Sequence, residues 1–171
     1  MTAHSPDDTI DRLVALSSDL ETYQVRHQRD KVVAATQKSE AGLFDPTLPG
    51  LTVIERLLVA LLACELTPSA VCATEYRDRL LRAGAKHELI EQVSAQQFER
   101  ITDARLRSIL LFTHTLITDP VKADQAALQS LPKAGLSTPE VVTLAQLIAF
   151  VSYQVRVVAG LQAMKQLEQQ A

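Results

Sequence analysis

Segment 52–66 limits the fold of this chain more than any other part of the sequence. It reads TVIERLLVALLACEL, and its apolar residues cover nearly every side of a helix. A helix without a polar face must be buried at the centre of a domain, among other elements. Thr52 and Glu55 have the Ser/Thr-x-x-Glu spacing of a capping box, which marks the first turn of a helix. The sequence therefore predicts a buried helix that ends at Thr67-Pro68, with Thr67 as the N-cap of the next helix and Pro68 at its first position.

The rest of the chain also favours helices. Ala, Leu, Val, Gln and Glu dominate, and only 5 residues are Gly, so little turn chemistry is left for a sheet. The periodicity predicts a short helix beginning near Ile10, a loop at 43–50, and a closing helix from Ser137 to about residue 167. Further helices are predicted at 68–83, 87–97 and 103–118, with a short amphipathic turn at 121–131. No segment shows convincing strand alternation, so we expect an all-α protein.

The size and composition favour one soluble domain. A chain of 171 residues is long enough to bury about 70% of the surface of its unfolded form. The polar start predicts a disordered N-terminus at 1–8, followed by a single helical domain at 9–171. Purely apolar runs are much shorter than the roughly 20 residues that span a bilayer, and the start does not resemble a signal peptide. Two cysteines make no disulfide scaffold at this length, so we expect a cytoplasmic protein with no membrane partner.

Charge and motifs argue against several classes of function. The net charge is −3, which gives no general attraction to nucleic acid. The sequence has no Gly-rich phosphate loop and no nucleophile elbow, and none of its 4 histidines lies at a recognised zinc-ligand interval. We therefore expect no cofactor, no metal and no nucleic-acid partner.

Two segments of the chain are similar to each other. Residues 50–64 read GLTVIERLLVALLAC, and residues 135–149 read GLSTPEVVTLAQLIA. Both contain a capping box that opens a buried helix, Thr52 with Glu55 in the first and Ser137 with Glu140 in the second. Generic capping explains part of the similarity, so the match is modest evidence for a duplicated helix pair.

The order of these residues resembles the carboxymuconolactone decarboxylase and alkylhydroperoxidase D-like superfamily, which is all-helical and built on such a repeat. Its signature is a Glu that opens a buried helix, then Cys-x-x-Cys-x-x-x-His in the next helix, then a Gly about two turns later. Glu55 stands at the Glu position, Cys72 at the second cysteine and Gly84 at the Gly. Ser69 stands at the first cysteine and Tyr76 at the His, and the turn before them is about two residues longer than usual.

The resemblance covers roughly residues 40–168 and implies an alkylhydroperoxidase D-like bundle with an internal helix-pair repeat. It makes Cys72 the sulfur that attacks a peroxide and Glu55 the base of a proton relay to it. Tyr76 is a poor base at pH 7, although it could donate a hydrogen bond to a bound oxyanion or order a water. Members are commonly homo-oligomers, so the resemblance also implies a dimer, trimer or hexamer with a small-molecule substrate.

Each candidate residue also has a purely structural interpretation. Amide N–H groups early in a helix favour a thiolate at Cys72, yet free cysteine is among the most buried residue types. The cap alone explains Glu55. Cys64 is the other candidate thiol for resolving a sulfenic acid, because Ser69 cannot form a disulfide, but packing in an apolar helix also explains Cys64.

Three functions fit these residues. The first is a thiol antioxidant that reduces peroxides through Cys72, with activity impaired by the changes at Ser69 and Tyr76. The second is a non-catalytic helical oligomer that binds a small ligand or a partner. The third is a cysteine-independent, decarboxylase-like acid–base enzyme. In addition, Arg156 lies in the apolar closing helix and would need a partner if buried, and we expect Glu55 beside it.

Overall fold

The structure is a computed structural model that describes residues 8–170. All regular structure in that range is helical, with no strand, so the predicted all-α class is confirmed. Residues 1–7 and 171 lie outside the described residues. The predicted disorder at 1–8 is therefore untested except at Asp8, which is the N-cap of the first helix. The helices are α1 (Thr9–Val14), α2 (Glu21–His27), α3 (Asp30–Leu43), α4 (Val53–Leu66), α5 (Ala70–Arg82), α6 (His87–Ser94), α7 (Ala104–Thr118), α8 (Gln125–Lys133) and α9 (Thr138–Gln170), with a 3₁₀ turn at Phe98–Arg100.

Helix α4 is the central element, as its apolar sequence predicts. Every residue at 56–64 is buried, and α5, α6, α7 and α9 pack around it. The capping box is formed, because the Glu55 amide donates to Thr52 Oγ1 over 3.1 Å and the Thr52 amide donates to Glu55 Oε2 over 2.7 Å. Full burial of one leucine side chain contributes about 1.5–3 kcal/mol, so the leucines of α4 contribute much of the stability of the core.

Arg56 is the exception in α4, since it is a charged side chain with no exposed surface. Its guanidinium donates to three backbone carbonyls, those of Leu43 (2.7 Å), Asp45 (2.9 Å) and Thr52 (3.3 Å). Burial lowers the pKa of Arg56 from its ordinary value. These bonds satisfy the buried cation and tie the loop between α3 and α4 to the core.

The predicted start of α5 is wrong by two residues. Thr67 is not an N-cap: its amide donates to Ala63 O over 3.0 Å and closes the last turn of α4. Thr67 has a non-helical backbone (φ −120°, ψ 85°), as is favoured before Pro68, and the N-cap moves two residues to Ser69, so that the helix begins at Ala70. The predicted end is confirmed, because Gly84 has φ +79° just after the helix.

The two similar segments meet at one arginine. Arg105 of α7 lies between the two capping glutamates, with Nε 3.0 Å from Glu55 Oε1 and Nη2 2.5 Å from Glu140 Oε1. Gly50, which has φ +92°, also approaches this point, since a Cβ there would lie 2.6 Å from Glu140 Cγ. The N-terminal ends of α4 and α9 are therefore joined by one side chain.

The expected pair between Glu55 and Arg156 is wrong. Arg156 is exposed and donates to Ser152 O over 2.6 Å within its own helix. It lies 16 residues beyond Glu140, or about 24 Å along α9, whereas Arg105 lies at the helix start beside Glu55.

Helix α9 holds the N-terminal helices on the core. Lys165 Nζ donates to the carbonyls of Val14 (3.1 Å) and Ala15 (2.7 Å) at the end of α1. Glu168 accepts from the amides of Glu21 (2.6 Å) and Thr22 (3.1 Å) at the start of α2. One helix thus supplies side chains that cap a C-terminus and an N-terminus, each with the favourable sign of charge.

Among the described residues, α9 is also the one helix long and apolar enough to cross a membrane. Its most apolar 18-residue window has a mean hydropathy of 1.6, and 39% of that window is buried inside the fold. Core helices of soluble proteins pass the same test, and the buried residues Leu144, Leu147 and Val151 belong to the same core as α4. The cytoplasmic location therefore stays a prediction.

Candidate thiol site

The hairpin formed by α4 and α5 brings the two cysteines together. Cys64 lies in the last turn of α4 and Cys72 is the third residue of α5, and both are free thiols with no exposed surface. The Cys64 thiol donates a hydrogen bond to Cys72, and the Ser69 side chain donates a second one. Three residues that the sequence analysis selected thus form one cluster.

The hydrogen bond between the thiols separates their acidities. Donation by Cys64 lowers the pKa of Cys72 to about 7, and the hydrogen bond from Ser69 lowers it further against the opposing effect of burial. The same hydrogen bond, together with burial, raises the pKa of Cys64 well above its ordinary value. Above about pH 7 the pair therefore carries mainly one thiolate, at Cys72, and one thiol, at Cys64.

Tyr76 lies one helical turn after Cys72 and is buried. Its hydroxyl donates to Gln154 Oε1 of α9 over 2.5 Å, and burial raises its pKa well above the ordinary value. Tyr76 therefore stays protonated near neutral pH and cannot act as a base. Its hydroxyl hydrogen is donated to Gln154 in a hydrogen bond. The sequence analysis missed Gln154, whose one signal is a polar residue within the apolar run of α9.

The structure does not bring Glu55 to the thiols. It lies nine residues before Cys64, or about 13 Å along the axis of α4. Its carboxylate is bonded to the Thr52 amide and to Arg105 at the other end of the helix. Four of the five candidate residues therefore cluster, and a role of Glu55 in proton transfer stays a prediction from resemblance.

A different carboxylate lies near the thiols. Glu40 of α3 is only 7% exposed, and it accepts hydrogen bonds from Arg79 Nη1, over 3.0 Å, and from the Thr9 side chain. Burial raises the pKa of Glu40 despite these two partners, and its charge in turn raises the pKa values of Cys72 and Tyr76. The sequence analysis missed Glu40 because it lies in a polar helix and is 32 residues from Cys72.

Glu40 borders a cavity of about 500 Å³ between α1, α3 and α5, which we call the α3–α5 cleft. The Arg79 guanidinium lies 4.3 Å from the centre of the Phe44 ring on one side of the cleft, an attractive cation–π arrangement. Arg12 and Glu75 form a salt bridge of 2.8 Å on another side. The cleft is large enough for a small substrate, and its polar groups are available to orient one.

No group of three or more His, Cys, Asp or Glu side chains within residues 8–170 is arranged to hold a metal ion. Comparison with known proteins adds no assignment, since no family model and no curated protein matches this chain. The thiol pair, Glu40 and the α3–α5 cleft are therefore the features of this chain that bear on its function.

Proposed function

We propose that this protein is a thiol antioxidant with an alkylhydroperoxidase D-like bundle, which reduces peroxides through Cys72 and resolves the product with Cys64. The observation that carries the proposal is the hydrogen bond between the two buried thiols. In the signature of the superfamily the second thiol lies three residues before the first, where this chain has Ser69. Cys64 reaches the same sulfur from the opposite helix of the hairpin.

The reaction has two steps within the protein. The Cys72 thiolate attacks a hydroperoxide, so that an S–O bond forms, the O–O bond breaks and the alkoxide leaves with a proton as an alcohol. Cys72 is then a sulfenic acid. Cys64 attacks that sulfur, the S–S bond forms, and the hydroxyl of the sulfenic acid leaves as water. An external dithiol reduces the disulfide and returns both thiols.

Access to Cys72 requires a local opening, because neither thiol is exposed. Helix α1 is six residues long and packs on α5 and α9. The salt bridge from its Arg12 to Glu75 of α5 is half exposed on the Arg12 side, at 50%. Although Ile10, Leu13 and Val14 are buried, α1 has fewer core residues than the longer helices, so it is the element that we expect to open at the lowest free energy.

Peroxide turnover with a dithiol reductant tests the proposal. The wild-type protein should consume a small organic hydroperoxide at a rate that depends on protein concentration, and Cys72→Ser should abolish that consumption. Cys64→Ser should allow one oxidation of Cys72 to a sulfenic acid, trapped by a dimedone reagent, without sustained turnover. Turnover that persists in Cys72→Ser would refute the proposal.

A second candidate is a non-catalytic helical oligomer that binds a small apolar ligand. Two observations favour it, the full burial of both thiols and an apolar groove of about 240 Å³ between α2, α3 and α9. An apolar fluorescent probe should bind this groove, and Met164→Glu should remove the binding. The residues that line the groove include Val25, Val32, Val33, Tyr153, Val157 and Met164.

The decarboxylase-like alternative gains no support from the site. That chemistry would need an acid–base group at the position of Tyr76, whose hydroxyl is bonded to Gln154 and whose pKa is raised. The proposed antioxidant retains the other expectations from the sequence, namely a homo-oligomeric state, a small-molecule substrate and a cytoplasmic location.

A further inference from the structure

We propose that Glu40, rather than Glu55, is the carboxylate that transfers the proton between Cys72 and the peroxide, and that the α3–α5 cleft is the path by which the peroxide enters. This inference rests on the proposed peroxidase function and names the residue that completes its site.

The geometry of α5 places Glu40 on the side of the helix that carries the thiol. Cys72, Tyr76 and Arg79 are spaced by four and three residues, so they lie on one face of the helix. Arg79 holds Glu40 by a hydrogen bond of 3.0 Å, and its guanidinium lies 5.5 Å from the centre of the Tyr76 ring. The carboxylate is thus fixed above the face that carries Cys72, within two turns of it.

The burial of Glu40 suits a role in proton transfer. It is more than nine-tenths buried, yet it borders a cavity of about 500 Å³, so it can meet a small molecule that enters the cleft. Glu55 borders no such cavity among those described, and its carboxylate is bonded to Arg105 and the Thr52 amide.

Charged groups from each neighbouring element set the acidity of Glu40. Burial has the largest effect and raises the pKa of Glu40. From α5, the charge of Arg79 lowers that pKa and the charge of Glu75 raises it. Arg12 of α1 and Asp45 of the following loop also border the cleft.

Cys72 has a pKa of about 7, set by Cys64 and Ser69 against burial and the charges of Glu40 and Glu75. A raised carboxylate pKa and a lowered thiol pKa approach each other. General acid–base transfer is efficient when the two groups are matched in this way.

The proton balance of the step is simple. The Cys72 thiol loses its proton to the Glu40 carboxylate through water that enters when the site opens, because Cys72 does not line the closed cleft and Arg79, which holds Glu40, lies two turns of α5 away. The resulting thiolate attacks the peroxide, the sulfur loses two electrons and the O–O bond gains them. Protonated Glu40 then gives its proton to the leaving alkoxide, so that Glu40 ends the step as the carboxylate.

Two measurements on Glu40→Gln test this role. The first is the pH midpoint of Cys72 alkylation by iodoacetamide, and the second is the rate at which peroxide oxidises Cys72 at pH 7. Removal of the Glu40 charge should move the midpoint below about 7, because that charge raises the pKa of Cys72. The oxidation rate should nevertheless fall roughly ten- to a hundredfold, because the proton carrier is lost.

Glu65→Gln is the matched control. Glu65 is a carboxylate of the same hairpin that does not line the cleft, and its charge acts on Cys64. This variant should leave the alkylation midpoint of Cys72 and its oxidation rate near the wild-type values, and Glu55→Gln should leave the oxidation rate unchanged as well. A change that merely loosened the structure would move alkylation and oxidation in the same direction.

The outcomes separate the two proposals. Wild-type oxidation rates in Glu40→Gln, or a large loss in Glu55→Gln alone, would overturn the role of Glu40 while leaving the peroxidase function intact. A wild-type protein whose Cys72 is alkylated but not oxidised by peroxide would overturn both. If Glu40→Gln does not fold, Glu40→Asp serves instead: it keeps the charge with a shorter reach, and it should leave the midpoint near that of the wild type while slowing oxidation.

Discussion

The buried polar side chains of the thiol site each have a partner on a different part of the chain. Cys72 of α5 accepts a hydrogen bond from Cys64 of α4, and Tyr76 of α5 donates a hydrogen bond to Gln154 of α9. Such bonds fix the ionisation of the groups that make them, and an unpaired partner costs about 1–3 kcal/mol. Both consequences can be measured one residue at a time.

The hydrogen bond from Cys64 should be visible in the acidity of Cys72. Cys64→Ala removes the donor, so we expect the midpoint of Cys72 alkylation to rise from about 7 toward the ordinary range of a thiol. Cys64→Ser keeps a hydroxyl donor and should shift the midpoint less. Equal midpoints in all three proteins would contradict the assigned hydrogen bond.

The same ionisation links stability to pH. The pKa of Cys72 is lower in the folded protein than in the unfolded chain, so its contribution is fully present above the unfolded pKa near 9 and is lost as pH falls through about 7. We therefore expect the free energy of unfolding, relative to Cys72→Ala, to increase from pH 7 to pH 9 under reducing conditions. Urea titrations at several pH values measure it, and a decrease over that interval would refute the assignment.

The Tyr76 hydroxyl should matter for stability rather than for proton transfer. Tyr76→Phe leaves the buried Gln154 amide oxygen without its donor, and we expect a loss of about 1–3 kcal/mol in the free energy of unfolding. Tyr153→Phe is the matched control, because Tyr153 is 42% exposed and its loss should change stability by less than about 0.5 kcal/mol. Equal effects of the two changes would show that the buried bond contributes nothing.

Residues of the thiol site that are close in sequence can be predicted from it, whereas residues that tertiary packing brings to the site cannot. Cys64, Ser69 and Cys72 lie within nine residues, so helix periodicity and a turn are enough to place them together. Glu40 and Gln154 reach the site from distant helices by tertiary packing. Glu40 has no local signal of that packing, because a Glu in a polar helix is common. Gln154 stands out as a polar residue in an apolar run, but the sequence does not indicate its partner.

At the scale of helices, end signals predict most of the fold. The capping box at Thr52 and the glycine at Gly84 set the outer ends of the α4–α5 hairpin as expected. The inner turn differs, because Thr67 completes α4 instead of starting α5. The position of a turn between two buried helices depends on their packing, which short-range sequence signals do not contain.

Arg105 should connect the starts of α4 and α9 energetically. Arg105→Met leaves Glu55 and Glu140 adjacent without their shared cation, so we expect a loss of about 1–2 kcal/mol in the free energy of unfolding. Lys122→Met is the control, since its salt bridge to Asp119 is well exposed and should contribute little. Chemical denaturation measures both, and an Arg105 variant as stable as the control would refute the link.

At the scale of the whole molecule, α9 connects the N-terminal helices to the core and leaves an apolar groove beside them. Val25, Val32, Tyr153 and Met164 are each more than 40% exposed along this groove. An exposed apolar patch of this kind is typical of an interface or a ligand site. The sequence predicts a homo-oligomer by resemblance, and this groove is where we propose that subunits meet.

A charge in the groove should therefore change the size of the particle. In sedimentation velocity experiments we expect the wild-type protein to sediment as an oligomer and Val32→Lys as a monomer, because a buried unpaired charge is unfavourable. Val121→Lys is the control, since Val121 is 88% exposed and does not line the groove. A Val32 variant with the mass of the wild type would place the interface elsewhere.

The central claim is that Cys64 and Cys72 act as one redox pair. Peptide mapping by mass spectrometry, after stoichiometric peroxide treatment of the reduced native protein, tests it most directly. We predict an intramolecular Cys64–Cys72 disulfide, which a dithiol reverses and which is absent from Cys64→Ser and Cys72→Ser. Both cysteines remaining as thiols, or Cys72 converted to sulfinic acid without a disulfide, would contradict it.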